Sequence, residues 1–598
     1  MKTGAFYSNG RCEFVLWAPE KNRIQLRIVS PEKRVLEMSA AGGGYWTAVG
    51  EEIKPGFRYL YAIDGREERP DPCSFYQPEG VHAASCVVDH TAFMWKDAGF
   101  KQAALKDAVI YEMHCGAFTN EGTFYSAESR LEALKELGVT HVEIMPVAAF
   151  PGKRNWGYDG VYPYAVQESY GGPEALKYFV NACHQRGLAV ILDVVYNHLG
   201  PEGNYTSRFA PYFTPRYNTP WGWAFNYDSE NCGGVREFVI NNAIYWLEMF
   251  HIDALRLDAV HAIFDNGAKH ILAEMNEKVS SFNARKNRDC LLIAESDLND
   301  VRIVNPPEKG GFGLAAQWAD DFHHSVHTAL TQERHGYYMD FEGAADAARV
   351  LGTPFLYDWK YSAARKRMHG SDASEIDPGK FIVCSQNHDQ VGNRMLGERL
   401  ITLAGFEAAK LAAAFTILSP YVPLIFMGEE YGEEAPFLYF TDHSDRQLAE
   451  NVRKGRKAEF KAFVSSGEPP DPQAVETFTR SIAKGAEKYG KKSVAMSRFY
   501  RKIIGLRAAG FKLERKKAFE DAGLVTAGLM NGGIAFFNFS HEDRVVKACA
   551  EHCGLVRIID SSETEWMGPG SGCPAKIGED TEIRVNAKSA VLLAGGGK

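Results

Sequence analysis

The run His251-Ile-Asp-Ala-Leu-Arg-Leu-Asp-Ala-Val-His261 is apolar enough for a buried strand, yet Asp253, Arg256 and Asp258 interrupt it. A buried charge is costly unless it is paired or used. Arg256 and Asp258 are two residues apart, so on a strand both side chains point to the same face. An arginine there stabilises the ionised form of Asp258, the form a carboxylate needs to attack an electrophilic carbon. Taken alone, the pair reads equally well as a structural ion pair at a strand end.

It is not alone. From residue 106 the chain alternates apolar runs with helical periods at 128–137, 174–186, 235–250 and 268–279. The expected strands are 108–114, 141–147, 188–198, 252–261, 291–296, 315–321, 381–388 and 422–428. Eight strands with intervening helices predict an α/β chain built on a (β/α)8 TIM barrel, closed by a helix over 497–508. In such a barrel the reactive groups collect at the C-terminal strand ends. Asp193 and Asn197-His198 end the third strand, Arg256 and Asp258 the fourth, Glu295 the fifth and Asn387-His388-Asp389 the seventh.

The flanking segments differ in pattern. Residues 1–95 show short alternating strands separated by turn residues, which predicts an N-terminal immunoglobulin-like β-sandwich. Its Trp17, Tyr45, Trp46, Tyr59 and Tyr61 either fill its core and its interface with the barrel or bind sugar rings, and the first reading is preferred. The barrel spans 96–511, and 512–598 reads as a C-terminal β-domain. Two connections are too long to be ordinary loops: 199–232, with seven aromatics between Tyr212 and Tyr227, and 433–494, with a helical portion over 447–463.

Composition narrows the class. The 598 residues are 45% hydrophobic and 24% charged, with a net charge of -9. That is an ordinary globular balance without a basic stripe, which favours a neutral substrate over nucleic acid. Eleven scattered cysteines, an odd number without Cys-x-x-Cys units, read as reduced thiols. Cys549, His552 and Cys553 lie close together, but no second ligand pair follows and zinc is not expected there. The N-terminus lacks an apolar signal core, and Pro420 and Pro423 divide the most apolar run. A cytoplasmic location without a membrane span is expected.

The segments Asp193-Val-Val-Tyr-Asn-His198, Leu255-Arg-Leu-Asp258, Glu295 after Leu-Leu-Ile-Ala, and Asn387-His-Asp389 closely resemble the four motif regions of the α-amylase family of glycoside hydrolases. All four occur in the family's order. Ala254, where many relatives carry glycine, is a departure that touches no reactive position. The resemblance implies Asp258 as nucleophile, Glu295 as general acid/base and Asp389 as stabiliser of the distorted sugar. It implies His198 and His388 as partners of sugar hydroxyls and Tyr158 as the ring beneath the sugar, with Arg256 beside the nucleophile. Asp321 and His323, in Trp318-Ala-Asp-Asp-Phe-His-His324, are expected on the leaving-group side. Asn197 matches a calcium position of some relatives, but the acidic loop that completes such a site is not evident; no metal or other cofactor is expected.

Within the family, Ala294-Glu-Ser-Asp-Leu-Asn-Asp300, Asn387-His-Asp-Gln-Val-Gly-Asn-Arg394 and Asp442-His-Ser-Asp445 are similar to the branch that cuts the α-1,4 bond beside a terminal trehalose unit. That implies an α-glucan oligosaccharide with a trehalose end as substrate, and functional pairing with the synthase that makes this end. The alternatives are a branching transferase, which typically reads Ser-His-Asp-Glu where this chain has Asn387-His-Asp-Gln390, and an α-1,6 debranching hydrolase. A decayed, non-catalytic glycan binder would be expected to have lost a carboxylate, and none is missing. The aromatic loop 212–227, with Trp221 foremost, is the first candidate for reading the trehalose end; Trp221 could equally pack the loop onto the barrel.

Overall fold

A computed structural model describes residues 2–460 and 468–595. Eight parallel strands close on themselves: β1 Ile110–Met113, β2 His141–Ile144, β3 Ala189–Val194, β4 Ala254–Leu257, β5 Leu291–Ala294, β6 Ala316–Trp318, β7 Phe381–Cys384 and β8 Val422–Phe426. Closure is explicit in the register, with Ile110 of β1 opposite Leu424 of β8 as well as His141 of β2. The lower barrel is filled by small and branched side chains, among them Ile110, Ile191, Ala254, Ile293 and Ile382. Two residues further along the same faces stand Glu112, Asp193 and Arg256, so the filling changes from apolar to charged towards the C-terminal ends.

The expected strands are all present but shorter, and the polar residues Asn197, His198, Asp258, Glu295 and His388 expected at their ends belong to the segments just beyond. Asp253, the first charge of the 251–261 run, serves the scaffold: its carboxylate accepts from Val190 N (2.8 Å), His184 Nε2 (2.8 Å) and Arg288 Nη2 (3.1 Å). The closing helix is Lys491–Ala508, six residues longer at its start than expected. Its Arg507 donates to the carbonyls of Ile417 and Ser419, both at 2.8 Å, satisfying the end of helix Phe406–Leu418 just before β8.

Two antiparallel sheets face each other at the N-terminus. On the strand Ile24–Ser30, Ile24, Leu26 and Ile28 alternate inward. Tyr59 and Tyr61 are buried in this core, and Trp17 packs edge-on against Tyr212 of the barrel at 5.6 Å. A Cβ on Gly234, in helix Cys232–Met249, would stand 2.1 Å from the Trp17 ring, so glycine makes room for the indole. These aromatics are core and interface residues. At the other end a five-stranded antiparallel sheet and a two-stranded one, Arg544–Lys547 with Glu582–Val585, form the C-terminal β-domain. The barrel grips it through Lys410, whose buried ammonium donates to the carbonyls of Ser561 (2.6 Å) and Trp566 (3.0 Å).

Three connections, not two, leave the barrel at length. The one after β3 folds as a hairpin, Phe213–Thr219 with Gly222–Phe225. The one after β8 holds helix Arg446–Glu459, and the last residues of the helix expected over 447–463 lie outside the described residues. The third, between β6 and β7, was not anticipated; it carries helices Asp320–Thr331 and Ala344–Gly352 and the hairpin Asp358–Ser362 with Arg367–Gly370. No helix among the described residues is long and apolar enough to cross a membrane.

Candidate active site

Arg256 stands at the centre of the barrel mouth, fully buried on β4. Its Nη1 donates to Asp193 Oδ2 and Asp258 Oδ1, each at 2.8 Å, while Nη2 lies 3.5 Å from Glu295 Oε2. The guanidinium also sits 4.5 Å from the ring centre of Trp318, at the end of β6. One cation therefore bridges carboxylates from β3, the end of β4 and the end of β5. Asp258 follows β4 by one residue, and its second oxygen accepts from Asn197 Nδ2 at 2.8 Å. The next residue, Ala259, adopts a left-handed backbone (φ 39°), strained for a residue with a Cβ. Its N–H points at Glu295 Oε2, 2.5 Å away. The two catalytic candidates are thus tied together through a single peptide.

Their surroundings separate them chemically. Burial pushes the Glu295 carboxyl up to about 8; Arg256 opposes this, and the charges of Asp258 and Asp389 add to it. Asp193 is likewise raised to about 7 by burial, against the pull of Arg256. At neutral pH Glu295 holds a proton beside a carboxylate that faces a permanent cation. That is an acid and a nucleophile side by side.

A second chain of contacts orders the opposite wall. Glu112, on β1, accepts from His388 N (2.9 Å) and faces His388 Nδ1 at 2.5 Å. Burial disfavours the imidazolium, but Glu112 and Asp389 outweigh it and raise the ring to about 9. The protonated ring then donates from Nε2 to Tyr158 OH (2.7 Å), and that hydroxyl donates to Asp193 Oδ2 at 2.6 Å. Tyr158 stacks on His388 at 5.3 Å, and its side chain is partly buried. Asp389 sits more openly at the mouth, its side chain 38% exposed. His198 is oriented by Asn197 and by Tyr158 O (3.0 Å), and Trp221 lies flat on it, ring centres 4.5 Å apart and planes 6° from parallel.

Asp258, Glu295, Asp389, Tyr158, His198, Arg256, His388 and Trp221 thus converge on one cleft. Asp321 and His323 do not join them. Asp321 is buried and accepts from Leu356 N (2.7 Å) and Asn299 Nδ2 (2.8 Å), while His323 is buried against His324 and His327. Because β6 ends at Trp318 and a helix starts at Asp320, it is Asp320 that stays close enough to Asp389 for their charges to interact, and burial raises it to about 7. Sequence reasoning also passed over Glu112, although it interrupts the apolar run Val109-Ile-Tyr-Glu-Met113 as Arg256 interrupts its own.

Residues 100–230 match the family model of the alpha amylase catalytic domain. A malto-oligosyltrehalose trehalohydrolase from Saccharolobus solfataricus is 48% identical over 528 residues, covering 88% of this chain and 91% of that protein. The chain belongs to the malto-oligosyltrehalose trehalohydrolase family. A 1,4-alpha-glucan branching enzyme from Pseudoalteromonas atlantica stands further off, 29% identical with 67% of this chain and 57% of that protein covered. Among solved structures, one from Salmonella typhimurium described as an alpha amylase superposes with a TM-score of 0.87 at 36% identity, covering 99% of each chain. As a trehalohydrolase-family member the chain is a glycoside hydrolase, and its sandwich, barrel and β-domain are the layout of that family's solved neighbour.

Proposed function

We propose that this enzyme hydrolyses the α-1,4 bond next to the terminal α,α-1,1-linked trehalose unit of a maltooligosyltrehalose, releasing trehalose by a retaining double displacement. The observation that carries the chemistry is the pairing of Asp258, held by Arg256 and Asn197, with a Glu295 that is protonated at neutral pH. Asp258 attacks the anomeric carbon as Glu295 delivers its proton to the departing oxygen, so the C–O bond breaks and neutral trehalose leaves. Once Asp258 is an ester its negative charge is gone, and with it one of the influences that raise Glu295. Glu295, having given up its proton to the leaving oxygen, therefore stays ionised and available as a base: it takes a proton from water, the hydroxide attacks the anomeric carbon, Asp258 is freed and Glu295 is protonated again.

Asp389, His198 and His388 are proposed to hold hydroxyls of the sugar being cleaved. Tyr158 is proposed to offer the exposed part of its ring as a platform, and Trp221, 49% exposed over His198, is proposed as a second one along the cleft. The chain would act after a synthase that creates the trehalose end, in the cytoplasm. Incubating the purified enzyme with maltooligosyltrehalose and, separately, with plain maltooligosaccharide tests the reading. Trehalose and the shortened glucan are expected from the first at a much higher kcat/KM than any product from the second. New α-1,6 branches, or equal cleavage of both, would refute it.

A further inference from the structure

The turn Asp442-His-Ser-Asp445, in the excursion after β8, reaches two other loops of the barrel mouth. Asp442 accepts from Lys153 N (2.9 Å) and Arg154 Nη2 (2.6 Å), in the connection that leaves β2. Gly152, with φ 70°, lets that connection pass so close that a Cβ there would stand 2.4 Å from the Asp442 carbonyl oxygen. His443 Nδ1 donates to Glu202 Oε2 at 3.1 Å, and its Nε2 faces Asp159 Oδ2 at 4.0 Å. Ser444 donates to Glu202 from its N–H (3.1 Å) and from its hydroxyl. His82, from the N-terminal segment, stands 3.4 Å from the other oxygen of Glu202. Asp445 accepts from the N–H groups of Gln447 (2.8 Å) and Leu448 (3.0 Å), so it caps helix Arg446–Glu459 and anchors the turn at its far end.

The two loops gripped in this way carry Tyr158 and His198. Asp159 follows Tyr158 directly, and Asn155 braces that turn: its Nδ2 donates to Asp159 Oδ2 (2.6 Å) and its Oδ1 accepts from Gly157 N (2.7 Å). Glu202 lies four residues beyond His198, and between them Gly200 N donates to the Gly160 carbonyl at 3.0 Å. The side chains of His443 and Glu202 are only 1% and 4% exposed. Apolar side chains could join two loops without burying a carboxylate and an imidazole, whose desolvation only well-aimed hydrogen bonds offset. What such bonds add is position. A group that must meet a sugar in its distorted form has to be held to about 0.5 Å, and a displacement of about 1 Å can cost 100-fold in rate. We propose that Asp442, His443 and Glu202 are positioning residues, a clasp from the β8 excursion that sets Tyr158 against the sugar being cleaved. The proposal rests on the reading of Tyr158 as the platform.

Three variants probe it. His443→Phe keeps a ring in place and removes the donor, and His443→Asn restores a side-chain N–H near the Nδ1 position. Asp442→Asn, at a side chain 27% exposed, weakens the grip on Arg154 without disturbing a core. For each, kcat and KM on maltooligosyltrehalose and the melting temperature are measured, alone and combined with Tyr158→Ala. His443→Phe should lower kcat/KM about tenfold to 100-fold and Asp442→Asn about fivefold, both chiefly through kcat, while His443→Asn recovers most of the loss. In the Tyr158→Ala background the same changes should cost less than about twofold, since a misplaced platform matters only while the platform is present. Losses that persist undiminished in that background would overturn the assignment, because a role in stability alone does not depend on Tyr158. So would rates within about twofold of the unmodified enzyme in both His443→Phe and Asp442→Asn. If Tyr158→Ala alone costs less than about twofold, the platform reading itself falls, a result that no clasp variant can produce.

Discussion

Raising the pH should switch this enzyme off through one identifiable carboxyl. The active form of Glu295 in the first step is the protonated one, and burial sets its midpoint at about 8. A group raised in this way keeps its proton on the acidic side and loses it as the pH rises through the midpoint. About nine-tenths of the molecules carry the proton at pH 7 and about one-tenth at pH 9, so kcat/KM for maltooligosyltrehalose should fall roughly tenfold between them. The profile would be measured by trehalose release, in parallel with an activated aryl α-maltooligoside whose leaving group needs no proton. Glu295→Gln should cost about 100-fold to 10,000-fold on the natural substrate and much less on the aryl one. Its kcat/KM on the aryl substrate should lose the limb centred near 8 and keep only the later one set by His388, whose ring is raised to about 9, because kcat/KM reports only steps up to departure of the aglycone. A midpoint near 5 in the unmodified enzyme, or a limb centred near 8 that survives in Glu295→Gln, would refute the assignment.

Asp258→Asn should fold and bind substrate but lose nearly all turnover, because an amide held by Arg256 and Asn197 cannot form the ester; near-normal rates from a clean preparation would remove Asp258 from that role. Trp221→Ala removes a ring stacked on His198 and should lower kcat/KM for maltooligosyltrehalose by roughly fivefold, about 1 kcal/mol, with the melting temperature unchanged. Parallel losses on plain maltooligosaccharide together with a lower melting temperature would make it a packing residue. Lys410→Met should destabilise the protein by about 2–4 kcal/mol, read in thermal unfolding, since two carbonyls of the C-terminal domain lose a charged donor.

Charge placed inside apolar runs was the most informative signal in the sequence. Asp253, Arg256 and Asp258 marked both a strand and a site, and the structure divides them into one scaffold residue and two members of the cleft. The same logic failed at β6 for a geometric reason. Extending that strand to 321 assumed a period of two, whereas a helix begins at Asp320; the change of period gives Asp320 the cleft and turns Asp321 to the backbone of residues 356 and 357. The excursion between β6 and β7 was hidden because its helices mimic ordinary barrel connections.

The contact between Glu112 and His388 joins residues 276 positions apart, from the first strand and from just beyond the seventh. Through Tyr158, Asp193 and Arg256 it reaches Asp258, so the arrangement of every charge around the nucleophile depends on a contact that only the nearly complete chain can make. During synthesis, a chain that has left the ribosome as far as β6 already contains Asp258 and Glu295 but not the imidazolium that completes the row, nor β8 to close the ring. Hydrolytic competence is therefore all-or-none with barrel closure. Premature termination anywhere before β8 should leave an inert fragment, and two separately expressed pieces divided in the β6–β7 excursion should gain activity only on reassociation.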